Sequence, residues 1–224
     1  GNTGIKLSDA SNRNIITNNN INTCAQWGIS CEVGQASSAT ANLFIGNRVE
    51  NAGYGGIGLY DAYQSIVKDN LLYRNGGSGI YCSGYVDFSQ ITGNHCVENS
   101  QLSVENAGIR LVTVTNITLA NNYCFDAQAL RKQVYGIRAN ESCTNLVIRQ
   151  NDVRFNLTAG LAISGSGHIV RDNLGYATES SGVAAITHPS TSVTVSHGCA
   201  YTPLVQDITI TLASGIAAGV NYGV

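Results

Sequence analysis

The sequence predicts an all-β chain: a right-handed parallel β-helix of about seven coils with an asparagine ladder, followed by a small antiparallel β segment. Composition supports this fold, since the 224 residues include 24 Asn and 25 Gly but only 2 Pro. Asn and Gly favour tight bends because both tolerate positive φ. The chain also repeats two short elements in phase, and repeats with a period of about 20–50 residues are typical of solenoids.

The first element supplies one strand to each coil. It begins at a glycine, continues with an apolar residue that is usually Ile, and has a second apolar residue, often Leu or Cys, two positions later. The glycines are 24, 28, 23, 29, 28 and 24 residues apart, a mean of 26. This alternation predicts a half-buried strand, and copies must stack in parallel to bury it. The copies begin at Gly4, Gly28, Gly56, Gly79, Gly108, Gly136 and Gly160.

The second element predicts the asparagine ladder. Each of its asparagines has an apolar residue three positions before it, and in most copies another apolar residue two positions after it. We expect these asparagines to lie above one another, each in a left-handed bend, with side-chain amides that hydrogen-bond between coils. They are Asn19, Asn47, Asn70, Asn94, Asn122, Asn151 and Asn173.

The repeats place residues 1–178 in the β-helix domain. From about residue 183 the register is lost, and two segments with period-two alternation follow, at 191–198 and 207–212. Residues 183–224 are therefore predicted to form an antiparallel segment for capping or trimerisation, because an open terminal coil pairs with other chains. Asp207 is the only acid of this segment, which has no Lys or Arg. Neighbouring copies of the segment would bury its apolar residues.

Charge and cysteine content exclude several classes of protein. The net charge of −2 argues against nucleic-acid binding, and no apolar run is long enough to span a membrane. The seven cysteines are odd in number and contain no C-x-x-C pair, which disfavours a metal site and a disulfide framework. We expect interior cysteines to act as small hydrophobes, although a Cys96–Cys124 bridge is geometrically possible. No metal or cofactor is predicted, and unpaired thiols favour folding in a reducing cytoplasm.

Side loops and an outward sheet face are where a solenoid is expected to bind ligands. The interval from ladder asparagine to the next glycine is 9 residues in four coils but 14 after Asn94 and after Asn122. Two stacked coils therefore carry an insertion at the same corner. Beside it, the outward position of the Gly-Ile strand holds an aromatic residue and then two arginines in successive coils. The predicted substrate-binding residues are Tyr81, Arg110, Arg138, Arg131, Lys132 and Tyr135.

Aromatic faces and guanidinium donors suit sugar rings and the carboxylates of an acidic polysaccharide. The alternative is a surface ladder of arginines that nearby acids neutralise. Glu105 and Asp126 are the predicted catalytic pair, since a glycosidase needs two carboxyl groups about 5–10 Å apart. Surface carboxylates are otherwise simply solvated, and the sequence does not give the distance between these two.

The Gly-Ile-x-Leu and Ile-x-x-Asn-x-Ile elements resemble the repeat of the pectin-lyase-like superfamily over residues 1–178. This resemblance implies the right-handed β-helix fold, which serves pectate lyases, polygalacturonases, alginate epimerases, adhesins and phage tailspikes. Their catalytic signatures are missing: Ser196-His197-Gly198 only approaches the polygalacturonase Gly-His-Gly, and neither Pro189 nor Pro203 belongs to an Asp-Pro-His-type epimerase motif. No cluster of calcium-binding carboxylates like that of pectate lyases can be identified either.

Three functions remain open from the sequence. The first is a tailspike-like or tail-fibre β-helix that binds, and in one version depolymerises, a bacterial surface polysaccharide, because the tail segment resembles β segments of some phage tail proteins. The second is a secreted bacterial polysaccharide lyase, hydrolase or epimerase. The third is a noncatalytic structural or adhesive β-helix. We expect a glycan partner, a homotrimer, and a location in the virion tail or outside the cell.

Overall fold

The computed structural model describes residues 3–9, 11–32, 39–102 and 106–178, and beyond them only positions 185, 192–194, 199 and 208. The chain divides into two compact units, Gly1–Tyr176 and Ala177–Val224. The first unit is the predicted parallel β-solenoid of about seven coils, with no helix among its described residues. The predicted antiparallel segment at 183–224 lies almost entirely outside the described residues, and all pairs of named strands are parallel.

Three main parallel sheets run along the solenoid, with seven, seven and five strands that follow the order of the coils. The first sheet contains Ile5–Ser8, Trp27–Glu32, Gly55–Tyr60, Ile80–Ser83, Ala107–Val112, Tyr135–Ala139 and Ala159–Ile163. The second contains Ile15–Thr17, Leu43–Ile45, Ile66–Lys68, Gln90–Thr92, Thr118–Ala120, Val147–Arg149 and Ile169–Arg171. The third contains Asn20–Asn22, Arg48–Glu50, Leu71–Tyr73, His95–Val97 and Tyr123–Phe125. Ala39–Thr40 and Ala62–Tyr63 form a fourth, two-stranded sheet.

The glycine that opens each repeat is required by a close approach between coils. A Cβ atom at Gly56 would lie 2.5 Å from the carbonyl oxygen of Gly79 and 3.0 Å from Leu72 Cδ2. Such distances are too short for a real Cβ, so only glycine fits without a shift of the backbone. Leu72 is the apolar residue that follows ladder residue Asn70 by two positions. The two sequence elements are therefore complementary parts of one interior layer.

The interior cysteines pack as small apolar residues, as the sequence predicts. Cys31, Cys82, Cys96 and Cys124 are fully buried in the core as free thiols. Cys96 and Cys124 are register partners in the third sheet but are not joined by a disulfide. Burial raises the pKa of the Cys31 thiol to about 11, so it stays protonated near neutral pH.

The asparagine ladder is confirmed. The side-chain Nδ2 of each member donates to Oδ1 of the next member along the chain, from Asn19 to Asn173, at 2.9–3.0 Å. The backbone N–H of each donates to the same oxygen, as from Asn94 to Asn122 Oδ1 at 3.0 Å. The ladder therefore pairs buried polar groups of neighbouring coils with one another, which removes the cost of leaving them unpaired.

The expectation that the ladder asparagines adopt the left-handed bend is wrong. In every coil the bend falls on the preceding residue, which turns the chain and leaves the asparagine facing the interior. Glycine, Asn and Asp dominate this column because they tolerate positive φ at low cost. The column consists of Asn18, Gly46, Asp69, Gly93, Asn121, Gln150 and Asp172, with φ between 54° and 66°.

A second polar ladder, which the sequence analysis did not predict, runs through the corner between the third and first sheets. Asn75 Nδ2 donates to Asn99 Oδ1 at 2.9 Å, Asn99 Nδ2 donates to Gln133 Oε1 at 3.4 Å, and Gln133 Nε2 donates to Asn156 Oδ1 at 2.9 Å. The available signal was an asparagine five positions after three of the ladder asparagines. The second insertion displaces this position, so the longer Gln133 takes the place of an asparagine.

Candidate functional site

The outward face of the first sheet brings four of the predicted binding residues together. Tyr81, Arg110 and Arg138 are register partners in successive strands. Arg110 Cζ lies 5.8 Å from the ring centroid of Tyr81, and Arg138 Cζ lies 5.2 Å from that of Tyr135. Both distances are within the range of a cation–π interaction. Arg110 Nη1 also donates to Asn106 Oδ1 at 3.1 Å, so the guanidinium is held in place.

An aromatic cluster, missed by the sequence analysis, extends this row towards the N-terminal coils. Ring centroids are 6.0 Å apart for Trp27 and Tyr81, 5.5 Å apart for Tyr60 and Tyr81, and 6.2 Å apart for Trp27 and Tyr60. The Trp27 ring lies flat on the next coil, in space left open by two glycines. A Cβ at Gly55 or Gly58 would be 2.4 or 2.9 Å from its ring atoms. Two glycines in the strand that follows a tryptophan were the signal for this arrangement.

We name these six side chains the aromatic–arginine strip: Trp27, Tyr60, Tyr81, Arg110, Arg138 and Tyr135. From Trp27 to Arg138 the strip crosses four coil steps, roughly 19 Å at ~4.8 Å per step. Trp27 is 8% exposed and the other five side chains are half-buried. Burial, followed by the neighbouring Tyr81 and Glu32, raises the pKa of Tyr60 to about 12, so its hydroxyl remains a hydrogen-bond donor.

The structure gives Asp126 a role inside the second insertion. Its carboxylate is fully buried and accepts backbone N–H groups of Gln128 at 2.9 Å, Lys132 at 2.6 Å and Gln133 at 2.8 Å. It closes the loop and has no exposed surface of its own. Glu105 lies outside the described residues, and the separation of the predicted catalytic pair therefore stays untested.

Arg131 and Lys132 are exposed on the same insertion. Arg131 Cζ lies 5.5 Å from the ring centroid of Phe155, in the corner of the next coil. Arg154 contacts the same ring at 5.5 Å. Sequence spacing placed Arg131 and Lys132 beside the strip, but the path of the loop and the contact with Phe155 decide where Arg131 points.

The strip contains flat aromatic faces and hydrogen-bond donors, and none of its six members is a carboxylate or an imidazole. Within the described ranges, no group of three or more His, Cys, Asp or Glu side chains is placed to hold a metal ion. That part of the chain also contains no helix long and apolar enough to cross a membrane. The aromatic faces and guanidinium donors of the strip are suited to holding a planar or ring-shaped ligand.

Comparison with known proteins agrees with the β-helix fold. A family model described as the right-handed β-helix region matches residues 36–197. The chain belongs to this right-handed β-helix family. Among solved structures it is similar to the A-module of the mannuronan C-5 epimerase AlgE6 of Azotobacter vinelandii, at 14% identity and a TM-score of 0.52. The match covers 76% of this chain and 54% of that module, so the chain spans about half the module's length.

The similarity to the epimerase module shows a common fold, and together with the family match it confirms the pectin-lyase-like resemblance of the repeat. No curated protein sequence matches this β-helix. The family is defined by its solenoid, and function on this fold depends on the side chains that each member presents.

Proposed function

We propose that this β-helix binds a bacterial surface polysaccharide along the aromatic–arginine strip, as the binding domain of a tailspike-like or tail-fibre protein. The observation that carries the proposal is the register of Tyr81, Arg110 and Arg138 beside the Trp27–Tyr60 cluster. Together these residues present a continuous surface along the coil axis. A surface of this kind fits an elongated polymer better than a compact ligand.

The two halves of the strip differ in chemistry. Tyr60 and Tyr81 offer ring faces for the apolar side of a pyranose and phenol hydroxyls for hydrogen bonding, while the buried Trp27 packs against both rings and supports them. Arg110 and Arg138 lie one coil apart and offer planar arrays of donors, which match carboxylates in a bidentate manner. This pairing favours a polysaccharide that carries carboxylates at intervals.

The alternative is a secreted polysaccharide lyase, hydrolase or epimerase. It is favoured by the similarity to a module whose name states an activity on mannuronan. We rank it second because that similarity, at 14% identity, is a likeness of fold alone. If turnover of a polysaccharide is detected, Glu105→Gln is the first variant to test, because a change at Asp126 would also loosen the second insertion. A noncatalytic structural or adhesive role is the third candidate and predicts no glycan binding at the strip.

The test is a binding titration with mannuronan oligosaccharides as the acidic probe, followed by a glycan array. Arg110→Ala combined with Arg138→Ala should abolish binding, and Tyr81→Ala should weaken it. The matched control is Arg149→Ala with Arg171→Ala, because these arginines are also register partners on an outward sheet face. Binding that survives the first double variant, or is lost equally in the control, contradicts the proposal.

We also propose that the protein folds in a reducing cytoplasm and acts in a virion tail or outside the cell, as a homotrimer. Support for the first point comes from Cys31, Cys82, Cys96, Cys124 and Cys143, which are buried free thiols. Support for the trimer comes from the nearly uncharged sequence of residues 183–224.

A further inference from the structure

The outward face of the third sheet carries a shallow depression of about 310 Å³. Two rows of register partners cross it: Arg48, Leu71 and His95 in one row, and Glu50, Tyr73 and Val97 in the other. This face is separate from the aromatic–arginine strip, which lies on the first sheet. We name the depression the third-sheet platform, and its lining consists of Arg48, Glu50, Leu71, Tyr73 and Val97.

The floor of the platform is apolar and its polar groups are already paired. Leu71, Tyr73 and Val97 are half-buried, so they present apolar surface to a ligand. At the rim, Arg48 Nη2 and Glu50 Oε1 lie 2.5 Å apart. Donors and acceptors thus stand side by side there with no net charge.

A second ion pair supports the other side of the floor. Arg74 Nε donates to Glu98 Oε2 at 2.7 Å, and Arg74 Cζ lies 4.9 Å from the ring centroid of Tyr73. Partial burial, followed by a hydrogen bond with Glu98, raises the pKa of Tyr73. The phenol therefore stays neutral, and the Tyr73 ring is held in place by Arg74 and Glu98.

We propose that the third-sheet platform binds a neutral pyranose ring, as a saccharide site distinct from the strip and independent of the function proposed for it. An apolar floor with adjacent donor and acceptor at the rim matches a sugar that has one apolar face and a ring of hydroxyl groups. A strongly charged ligand is disfavoured because the charges at the platform are already paired.

Size selects a small ligand over a protein partner. The cavity volume of about 310 Å³ lies at the lower end of the roughly 300–1,000 Å³ typical of small-molecule sites. Three coils at ~4.8 Å and three residues at ~3.3 Å give a patch of roughly 140 Å². A stable protein interface needs about 800 Å² from each partner, so a second copy of this chain would gain too little from the platform.

The single tryptophan of the chain makes a site-specific test possible. Trp27 reports on the strip, and Tyr73→Trp combined with Trp27→Phe moves the fluorophore to the platform. We expect cellohexaose or maltohexaose, as neutral probes, to change the emission of this variant in a saturable way. Mannuronan hexamer, as the acidic probe, should bind it at least tenfold more weakly.

A lysine introduced into the apolar floor of the platform should remove saccharide binding there. Val97→Lys, added to the reporter variant, should weaken neutral hexasaccharide binding at least tenfold. Ile45→Lys is the control, because Ile45 is also half-buried on an outward face, that of the second sheet. Arg110→Ala with Arg138→Ala should leave the platform signal unchanged, which separates failure at the platform from failure at the strip.

The unmodified chain offers a second readout in case the reporter variant folds poorly. His95 adjoins Leu71 and stacks on Tyr123 at 4.7 Å between ring centroids, and the chain has only 4 His. The His95 ring-proton resonances should shift with the same dissociation constant as the fluorescence signal. The proposal is overturned if neither reporter saturates with a neutral hexasaccharide, if Val97→Lys binds normally, or if the signal follows protein concentration and not sugar.

Discussion

Asn122 occupies the middle of the asparagine ladder and pairs with residues on both sides. Its Oδ1 accepts two N–H groups of Asn94 at 3.0 Å, and its Nδ2 donates to Asn151 Oδ1 and to the carbonyl of Ile91 at 2.9 Å. Asn122→Ala leaves these buried groups unpaired and should lower the free energy of unfolding by about 1–3 kcal/mol. Urea denaturation monitored by circular dichroism measures the loss.

The control for this prediction is Asn20→Ala, which truncates an exposed asparagine on the third sheet. A surface change of this kind should alter the free energy of unfolding by no more than about 0.5 kcal/mol. Equal losses for the two variants would show that the ladder contributes nothing specific to stability.

The buried thiol of Cys31 predicts a loss of stability at alkaline pH. Burial raises its pKa from 9.0 to about 11, so between these values the folded chain keeps a proton that the unfolded chain releases. The contribution is complete below pH 9 and declines as pH rises towards 11. In Cys31→Ala, the free energy of unfolding should therefore fall less steeply over this range. Ile29→Val, a neighbouring core truncation without a titratable group, should keep the wild-type slope.

Single residues also show how far the sequence predicts this structure. The ladder was predictable because its asparagines recur with two apolar neighbours each. The bend before each ladder asparagine was misplaced by one residue, since Asn18 and Asn121 are asparagines too. Trp27 was missed because its surroundings are defined by Gly55 and Gly58 in another coil. The Trp27 ring fits there because Gly55 and Gly58 have no side chains. The alternation of apolar and polar residues along a single strand does not reveal such a contact between coils.

At the scale of elements, the second insertion is a loop held closed by one carboxylate. Asp126→Ala removes the acceptor for three backbone N–H groups, and we expect the loop to open more often. Trypsin cleavage after Arg131 or Lys132 should accelerate by about tenfold for each 1.4 kcal/mol of lost loop stability. The control is Glu141→Ala, which removes an exposed acid at another corner and should leave the cleavage rate unchanged.

The two elements of the candidate site differ in how well the sequence predicts them. Strand alternation fixes which side of a sheet a residue faces, so the row of Tyr81, Arg110 and Arg138 followed from spacing alone. A loop has no such period. The path of the second insertion depends on Asp126 and on the Arg131–Phe155 contact, which join residues that no repeat relates to one another.

At the scale of the whole molecule, residues 183–224 predict self-association. This segment alternates apolar and polar residues and has one acid and no Lys or Arg, so its apolar side chains need burial by other copies. Closed symmetry is the usual arrangement of a homo-oligomer, and the proposed tailspike-like role favours threefold over twofold symmetry, so light scattering should give about three times 23.6 kDa. Deletion of 183–224 should give monomers or aggregates. A stable monomer of the full chain at micromolar concentration would refute this role.

The ladder also gives the β-helix a direction. In each ladder amide, one N–H points to the later coil and the oxygen to the earlier one, so the amide dipoles add along the axis, as peptide dipoles do in an α-helix. Every coil thus has a donor side and an acceptor side, and any two coils join head to tail. Tandem duplication of residues 94–121, one full period, should lengthen the protein by a coil with every amide still paired. An inverted coil would place donors opposite donors, so the solenoid can be extended only by coils that run in the same direction.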